Sequence, residues 1–224
     1  MISEDSELYR AHPDWALAIP GRQPNRSRNQ LVLDMARKDV REYLLEKLTD
    51  ILSHAPIDYV KWDVNRSICD VYSHVYTGER NGEVYHRFIL GVYDLLERLL
   101  ERFPDILLEG CSGGGGRFDA AMLYYSPQIW CSDNTDAVNR LNIQYGTSFF
   151  YPVSTMGAHV SAVPNHQTGR VTPFKTRGHV ALSGSFGYEL DLGKMSGEEK
   201  ELIKEQIAEF HKYYSLTHEG TYYR

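Results

Sequence analysis

Two short stretches place acidic residues where they could work as a pair. In YVKWDVNRS, residues 59–67, Lys61 and Asp63 are two positions apart, so on a strand they face the same side. A cation beside Asp63 would hold it ionised. In WCSDNTDA, residues 130–137, Asp133 has no Lys or Arg close by in sequence, which suits a carboxyl that must keep a proton. One ionised carboxylate and one protonated carboxyl are the parts needed for nucleophilic attack with acid–base assistance. Plainer readings stand beside these. Lys61 with Asp63 is equally a buried ion pair at a strand end. Thr135 and Asp136 have the makeup of a helix cap.

A third stretch, LLEGCSGGGGRFD at 107–119, carries four consecutive glycines, Gly113 to Gly116. A phosphate loop would need Lys and then Ser or Thr after them, and Arg117 follows instead. Phosphate binding stays open as a weak reading. Close approach of the backbone to a bulky ligand is favoured, because the loop follows a strand end.

The elements that must position these residues alternate. Apolar runs predict six strands: NQLVLD (29–34), IDYVKWD (57–63), DILLEGC (105–111), QIWCSD (128–133), MGAHVS (156–161) and FGYELDL (186–192). Helical spacing is seen over 39–52, 83–102 and 196–214, in RFDAAMLYY, and in TDAVNRLNIQYG up to Gly146. Residues 1–27 read as an irregular lead-in. Alternating strands and helices imply a parallel sheet with right-handed crossovers. A doubly wound sheet and a (β/α)8 barrel both fit this pattern. Polar groups at the strand ends (Asp34, Asp63, Cys111, Asp133, His159, and Glu189 or Asp191) favour the barrel. A doubly wound sheet would concentrate them at one switch point. Six strands rather than eight predict an α/β fold that is a partial (β/α)8 TIM barrel.

Two carboxylates at the mouth of one barrel suit glycoside hydrolysis. Asp63 then acts as nucleophile and Asp133 as acid/base, and Arg28, Asn65 and Cys111 could contact sugar hydroxyls. His159 and His166 lack a nucleophile-elbow motif and read as structural. The formal net charge is −6, which argues against nucleic acid or an anionic membrane as partner. The three cysteines, Cys69, Cys111 and Cys131, form neither a zinc pattern nor a disulfide framework, so a reducing, cytoplasmic setting is expected. No cofactor or metal is required.

The motifs resemble glycoside hydrolase family 36, the bacterial and fungal α-galactosidases. The matching segments are SRNQLVLD (27–34), YVKWDVNR (59–66), EGCSGGGGRFD (109–119), YYSPQIWCSDNTDA (124–137), YGTSFFYPVSTMGAHVS (145–161) and FGYELDL (186–192). Val64, Asn134 and Gly113 stand where that family often has Met, Asp and Ser. The resemblance implies a retaining mechanism with Asp63 as nucleophile and Asp133 as general acid/base. It implies a galactose site made by Arg28, Lys61, Asn65, Cys111, Gly113 and Gly114. The implied substrates are α-1,6-galactosides such as melibiose and raffinose, and the implied full-length form is a homo-oligomer. A raffinose-type galactosyltransferase and an α-N-acetylgalactosaminidase share the motifs. A catalytically inactive, sugar-binding remnant is the alternative of another class. Members of that family carry an N-terminal β-sandwich, a complete barrel and a C-terminal β-domain. Against that plan, residues 1–224 correspond to part of the barrel only. The chain by itself is therefore expected to be unstable or inactive.

Overall fold

The computed structural model describes residues 1–223 and divides into two compact units. The first comprises Met1–Val60 and Val64–Leu107; the second comprises Lys61–Asp63 and Leu108 onward. In chain order the elements are β1 (Ile2–Ser3), α1 (Glu7–Ala11), β2 (Gln30–Leu31), α2 (Lys38–His54), β3 (Tyr59–Trp62), α3 (Val84–Arg102), β4 (Leu107–Gly110), α4 (Ala120–Tyr125), β5 (Gln128–Ile129), α5 (Ala137–Thr147), β6 (Gly157–Ser161), α6 (Phe174–Ala181), β7 (Ser185–Glu189) and α7 (Gly197–His218).

In the first unit, α2 packs on α3. The buried side of α3 is Val84, Phe88, Gly91, Leu95, Leu96 and Leu99, a spacing that forms one apolar stripe. Gly91 is required there, because a Cβ would lie 1.9 Å from the Met35 carbonyl oxygen. Arg41–Asp94 at 2.7 Å and Arg98–Glu42 at 2.8 Å bridge the two helices. Such surface pairs set register and each contribute about 1 kcal/mol or less.

The first expected strand differs from its reading. Ser27 and Gln30 exchange backbone hydrogen bonds of 3.3 and 3.0 Å across a tight turn, with Arg28 at φ 52° and Asn29 at φ 59°. That turn reverses the chain. Gln30–Leu31 consequently pairs antiparallel with Ile2–Ser3, and Leu33 makes an antiparallel bridge with Ala16. The run 29–34 is thus no member of the parallel series. Residues 1–27 are likewise not irregular throughout, since β1, α1 and a 3-10 turn at Pro13–Trp15 lie within them.

The other five expected strands form where their apolar runs lie. The order β3-β4-β5 makes one sheet, and β6 pairs with β7 in a second. β4 with β5 and β6 with β7 are parallel, and a parallel bridge from Ile129 to Met156 links β5 to the approach of β6. Helices fill the connections, the pattern of consecutive (β/α) barrel units. Ala158, Val160 and Ala181 form a core under Phe174, Phe186, Tyr188 and Leu190. Fully burying Val160 alone contributes roughly 1.5–3 kcal/mol.

Helix starts follow local chemistry. Asp119 caps α4, Asp136 caps α5 through the Asn139 N–H, and Ser196 with Glu199 forms a capping box on α7. Asp136 is also held by Arg170 and by the Thr168 hydroxyl, so its capping reading is the one the structure bears out. Helix α5 runs one residue past Gly146. Sequence periodicity missed α6 because an arginine sits on its inward side. Arg177 is buried, donating to the carbonyls of Ser161 at 2.6 Å and Thr172 at 3.1 Å.

Candidate active site

The second unit brings Asp63, Cys111, Gly114 and Asp133 together around the ends of β3, β4 and β5. β3 and β4 are neighbours, and the Cys111 N–H donates to the Trp62 carbonyl at 2.9 Å. Alternation along the strands then stacks two cross-strand pairs. Lys61 Nζ lies 3.2 Å from Glu109 Oε1. One step further along both strands, the Cys111 thiol hydrogen-bonds the Asp63 carboxylate. Burial pushes the Cys111 thiol up. The N–H groups of Gly114 and Ser112 oppose that rise, and the Asp63 charge adds to it. The sulfur therefore stays protonated and serves as donor.

Both aspartates are open to solvent, while the groups beneath them are buried. Glu109 is 2 % exposed and Trp130 5 %. Trp130 Nε1–H donates to Asp133 Oδ1 at 3.1 Å. Lys61 Nζ stands 5.0 Å and the Arg140 guanidinium 4.1 Å from the Trp130 ring centroid, and His159 stacks on the ring at 4.6 Å. Burial lowers the His159 pKa. Glu189 opposes that shift, and Lys61 and Arg140 add to it. A neutral imidazole lies against the indole at neutral pH.

Burial also raises the Glu109 carboxyl to about 7. The Gln128 amide opposes this and the Glu189 charge adds to it. Lys61, 3.2 Å away, favours the ionised form. Ionising Glu109 in the folded state is therefore unfavourable relative to the unfolded chain. Its contribution to stability is complete below about pH 4.5 and is lost as pH rises to about 7. Thermal melts should accordingly show Glu109→Gln gaining on the parent chain across that window and holding a constant difference above it. A pH-independent difference would mean that Glu109 does not titrate there.

The glycine loop has a specific cause. Ser112, Gly113, Gly114 and Gly115 have φ of 135°, 61°, 76° and 89°, a left-handed run that side chains oppose. A Cβ on Gly114 would sit 2.3 Å from the Asp133 backbone nitrogen and 2.9 Å from the Ser132 carbonyl carbon. The loop after β4 thus packs on the backbone that carries Asp133. The missing side chains make room for protein first, where the sequence suggested room for a ligand.

Arg28 and Asn65 lie in the first unit, Arg28 exposed on its tight turn and Asn65 half-buried. Asp34, also in the first unit, is buried and accepts from the Ala36 N–H at 3.0 Å. It follows an antiparallel pairing rather than a parallel strand. Asp191 caps a short turn through the Gly193 N–H at 3.0 Å. Sequence reasoning missed Glu109, Trp130 and Arg140. Glu109 was accessible in principle: Glu-x-Cys on β4 mirrors Lys-x-Asp on β3. Arg140 is buried seven residues beyond Asp133 and holds the carbonyls of Ser132 at 2.6 Å and Asn134 at 2.7 Å. It brings a positive charge toward Asp133 that the local sequence did not reveal. No helix among the described residues is long and apolar enough to cross a membrane.

The sequence profile of the family described as Melibiase matches residues 1–220. The bifunctional alpha-galactosidase/sucrose kinase AgaSK of Mediterraneibacter gnavus is 64% identical over 224 residues, covering 100% of this chain and 23% of that protein. Alpha-galactosidase AgaA of Geobacillus stearothermophilus is 57% identical over 224 residues, covering 31% of its length. Among solved structures, the galactosidase domain of AgaSK superposes with a TM-score of 0.94 over 100% of this chain and 30% of that one. A Geobacillus AgaA variant in complex with raffinose superposes with a TM-score of 0.95 at 56% identity, covering 97% of this chain and 30% of that one. A second variant of the same enzyme, in complex with stachyose, gives the same values. The chain spans about a quarter to a third of the length of these relatives.

Proposed function

The chain belongs to the melibiase family, and we propose that it supplies the nucleophile and the acid/base of a retaining α-galactosidase acting on α-1,6-galactosides such as raffinose and melibiose. The observation that carries this reading is the loop after β4, which touches both acidic segments. Its Cys111 thiol donates to Asp63, and its Gly114 packs on the backbone of Asp133. One turn therefore contacts the Asp63 carboxylate and the backbone of Asp133, which supports a double-displacement reading with these two solvent-facing carboxylates as the pair.

The separation of Asp63 and Asp133 along the chain supports the assignment. It equals the separation of the two aspartates replaced in the raffinose and stachyose complexes of the Geobacillus enzyme. In the first step the Asp63 carboxylate attacks the anomeric carbon, the glycosidic C–O bond breaks, and Asp133 gives its proton to the departing oxygen. In the second step Asp133 takes a proton from water. The water oxygen attacks the anomeric carbon and Asp63 leaves as carboxylate, so the configuration is retained. Lys61 and Cys111 bind and orient the galactosyl unit beside Asp63, with Gly113 and Gly114 completing this part of the sugar site. The full-length protein is a homo-oligomer in this reading, and its setting is cytoplasmic.

The test is the leaving-group dependence of Asp133→Ala. Raffinose needs its departing oxygen protonated, so kcat/KM should fall by about 10²–10⁴-fold. For an aryl α-galactoside whose phenol departs unaided, formation of the galactosyl-enzyme should be nearly unchanged. Equal losses on both substrates would remove Asp133 from the acid role.

A further inference from the structure

We propose that Trp130 is the positioning residue of the acid/base, its indole N–H fixing Asp133 Oδ1 and leaving Oδ2 to exchange the proton with the glycosidic oxygen. This rests on the assignment of Asp133 above and adds the group that aims it.

The geometry leaves the indole little freedom. The Trp130 backbone N–H donates to the Gly110 carbonyl at 2.8 Å, pinning the residue to β4. The ring is 5 % exposed and packs against the Arg140 guanidinium at 4.1 Å and the His159 ring at 4.6 Å. On the edge near Gly157 even a methyl would be tight: a Cβ there would lie 3.1 Å from Trp130 Cε3. Arg140 also holds the carbonyls of Ser132 and Asn134, the two residues flanking Asp133. Backbone and side chain of Asp133 are thus fixed by two groups that stack on each other. An exposed carboxylate would otherwise sample several rotamers, and a displacement of about 1 Å costs on the order of 100-fold in rate. An indole has one donor and no acceptor. It can therefore orient a carboxyl group without competing for the proton that the group must carry.

The same ring links the two halves of the site. Lys61 Nζ, which stands over Trp130 at 5.0 Å, pairs with Glu109 and lies on the strand that ends in Asp63. Removing the whole ring would disturb both carboxylates. Removing only the N–H isolates its effect on Asp133.

Trp130→Phe keeps an aromatic ring in the stack and deletes the donor. The substitution is made in the 224-residue segment carried within the Mediterraneibacter enzyme in place of its own matching part, beside Asp133→Ala. For Trp130→Phe, kcat/KM on raffinose should fall about tenfold, the worth of one hydrogen bond to a charged group. The aryl galactoside with a good leaving group should lose less than about twofold. Equal losses on the two substrates, the pattern of a packing defect, or no loss on either would overturn the proposal. If Asp133→Ala itself lacks leaving-group dependence, the acid/base assignment fails instead, and the two failures are told apart.

A second measurement needs no turnover. It is made on the same enzyme carrying this segment, with the indole N–H resonances of Trp15, Trp62 and Trp130 assigned by their loss on substitution with Phe. The resonance that disappears in Trp130→Phe should shift when Asp133 is replaced by Ala, by more than those of Trp15 and Trp62. An unmoved resonance would mean that the bond to Asp133 is not made.

Discussion

With Asp63 replaced by Ala, turnover of raffinose should fall by on the order of 10⁵-fold, the loss seen when a covalent nucleophile is removed. The fold should not suffer. Asp63 is exposed at the end of β3, and its loss leaves the Lys61–Glu109 pair and the Cys111 N–H bond to Trp62 in place. The melting temperature should stay within a few degrees of the parent. A small anion such as azide can enter the space vacated by the carboxylate and attack the anomeric carbon from the same face. The product should then be the inverted β-galactosyl azide. A variant that keeps more than about 1% of parent activity, or that yields only α-configured product with azide, would show that another group attacks.

The second large effect is expected at Gly114→Ala, a substitution of one methyl group. The added carbon would lie 2.3 Å from the Asp133 nitrogen and 2.9 Å from two backbone atoms of Ser132, so one of the two loops must move. The residue is also at φ 76°, where Ala costs about 1–2 kcal/mol over Gly. Overpacking against a rigid backbone adds about 1–3 kcal/mol. The loops that shift bear Asp133 and the Cys111 that donates to Asp63, so activity should fall at least as steeply as stability, about 100-fold. Gly146→Ala is the control. Nothing lies within 4 Å of its added Cβ, and as a helical position it should gain stability. Equal behaviour of the two variants would mean that the loop yields at no cost.

The parallel strands were legible because each is an apolar run bounded by polar residues, and their ends were legible because Asp63, Cys111 and Asp133 follow those runs directly. What escaped has a common cause. Arg140 and Gln144 on α5, and Arg177 on α6, occupy inward positions that an apolar pattern would reserve for Leu or Ile. Each donates to backbone carbonyls of neighbouring segments rather than packing in the core. Arginine buried to satisfy carbonyls looks, in sequence, like arginine facing solvent. The antiparallel turn of 29–34 escaped for another reason. Arg28 and Asn29 both take left-handed backbone conformations, yet neither is the glycine that usually announces such a turn. A partner of Lys61 on the next strand also stayed out of view, because sequence spacing displays neighbours on one strand and hides those on the next. Glu109 is far from Lys61 along the chain and 3.2 Å away in space.

The most direct test of the central claim is to find the covalent bond. The enzyme carrying this segment is incubated with a fluorinated galactosyl fluoride, whose fluorine on the sugar slows hydrolysis of the glycosyl-enzyme more than its formation. Cleavage with trypsin after Lys61 and Arg66 releases a five-residue peptide, WDVNR, in which Asp63 is the only carboxylate side chain. This peptide should gain the mass of the fluorogalactosyl unit, and the gain should vanish in Asp63→Ala. A label on the peptide containing Asp133, or hydrolysis of raffinose by an enzyme that never takes up the label, would rule out Asp63 as the nucleophile.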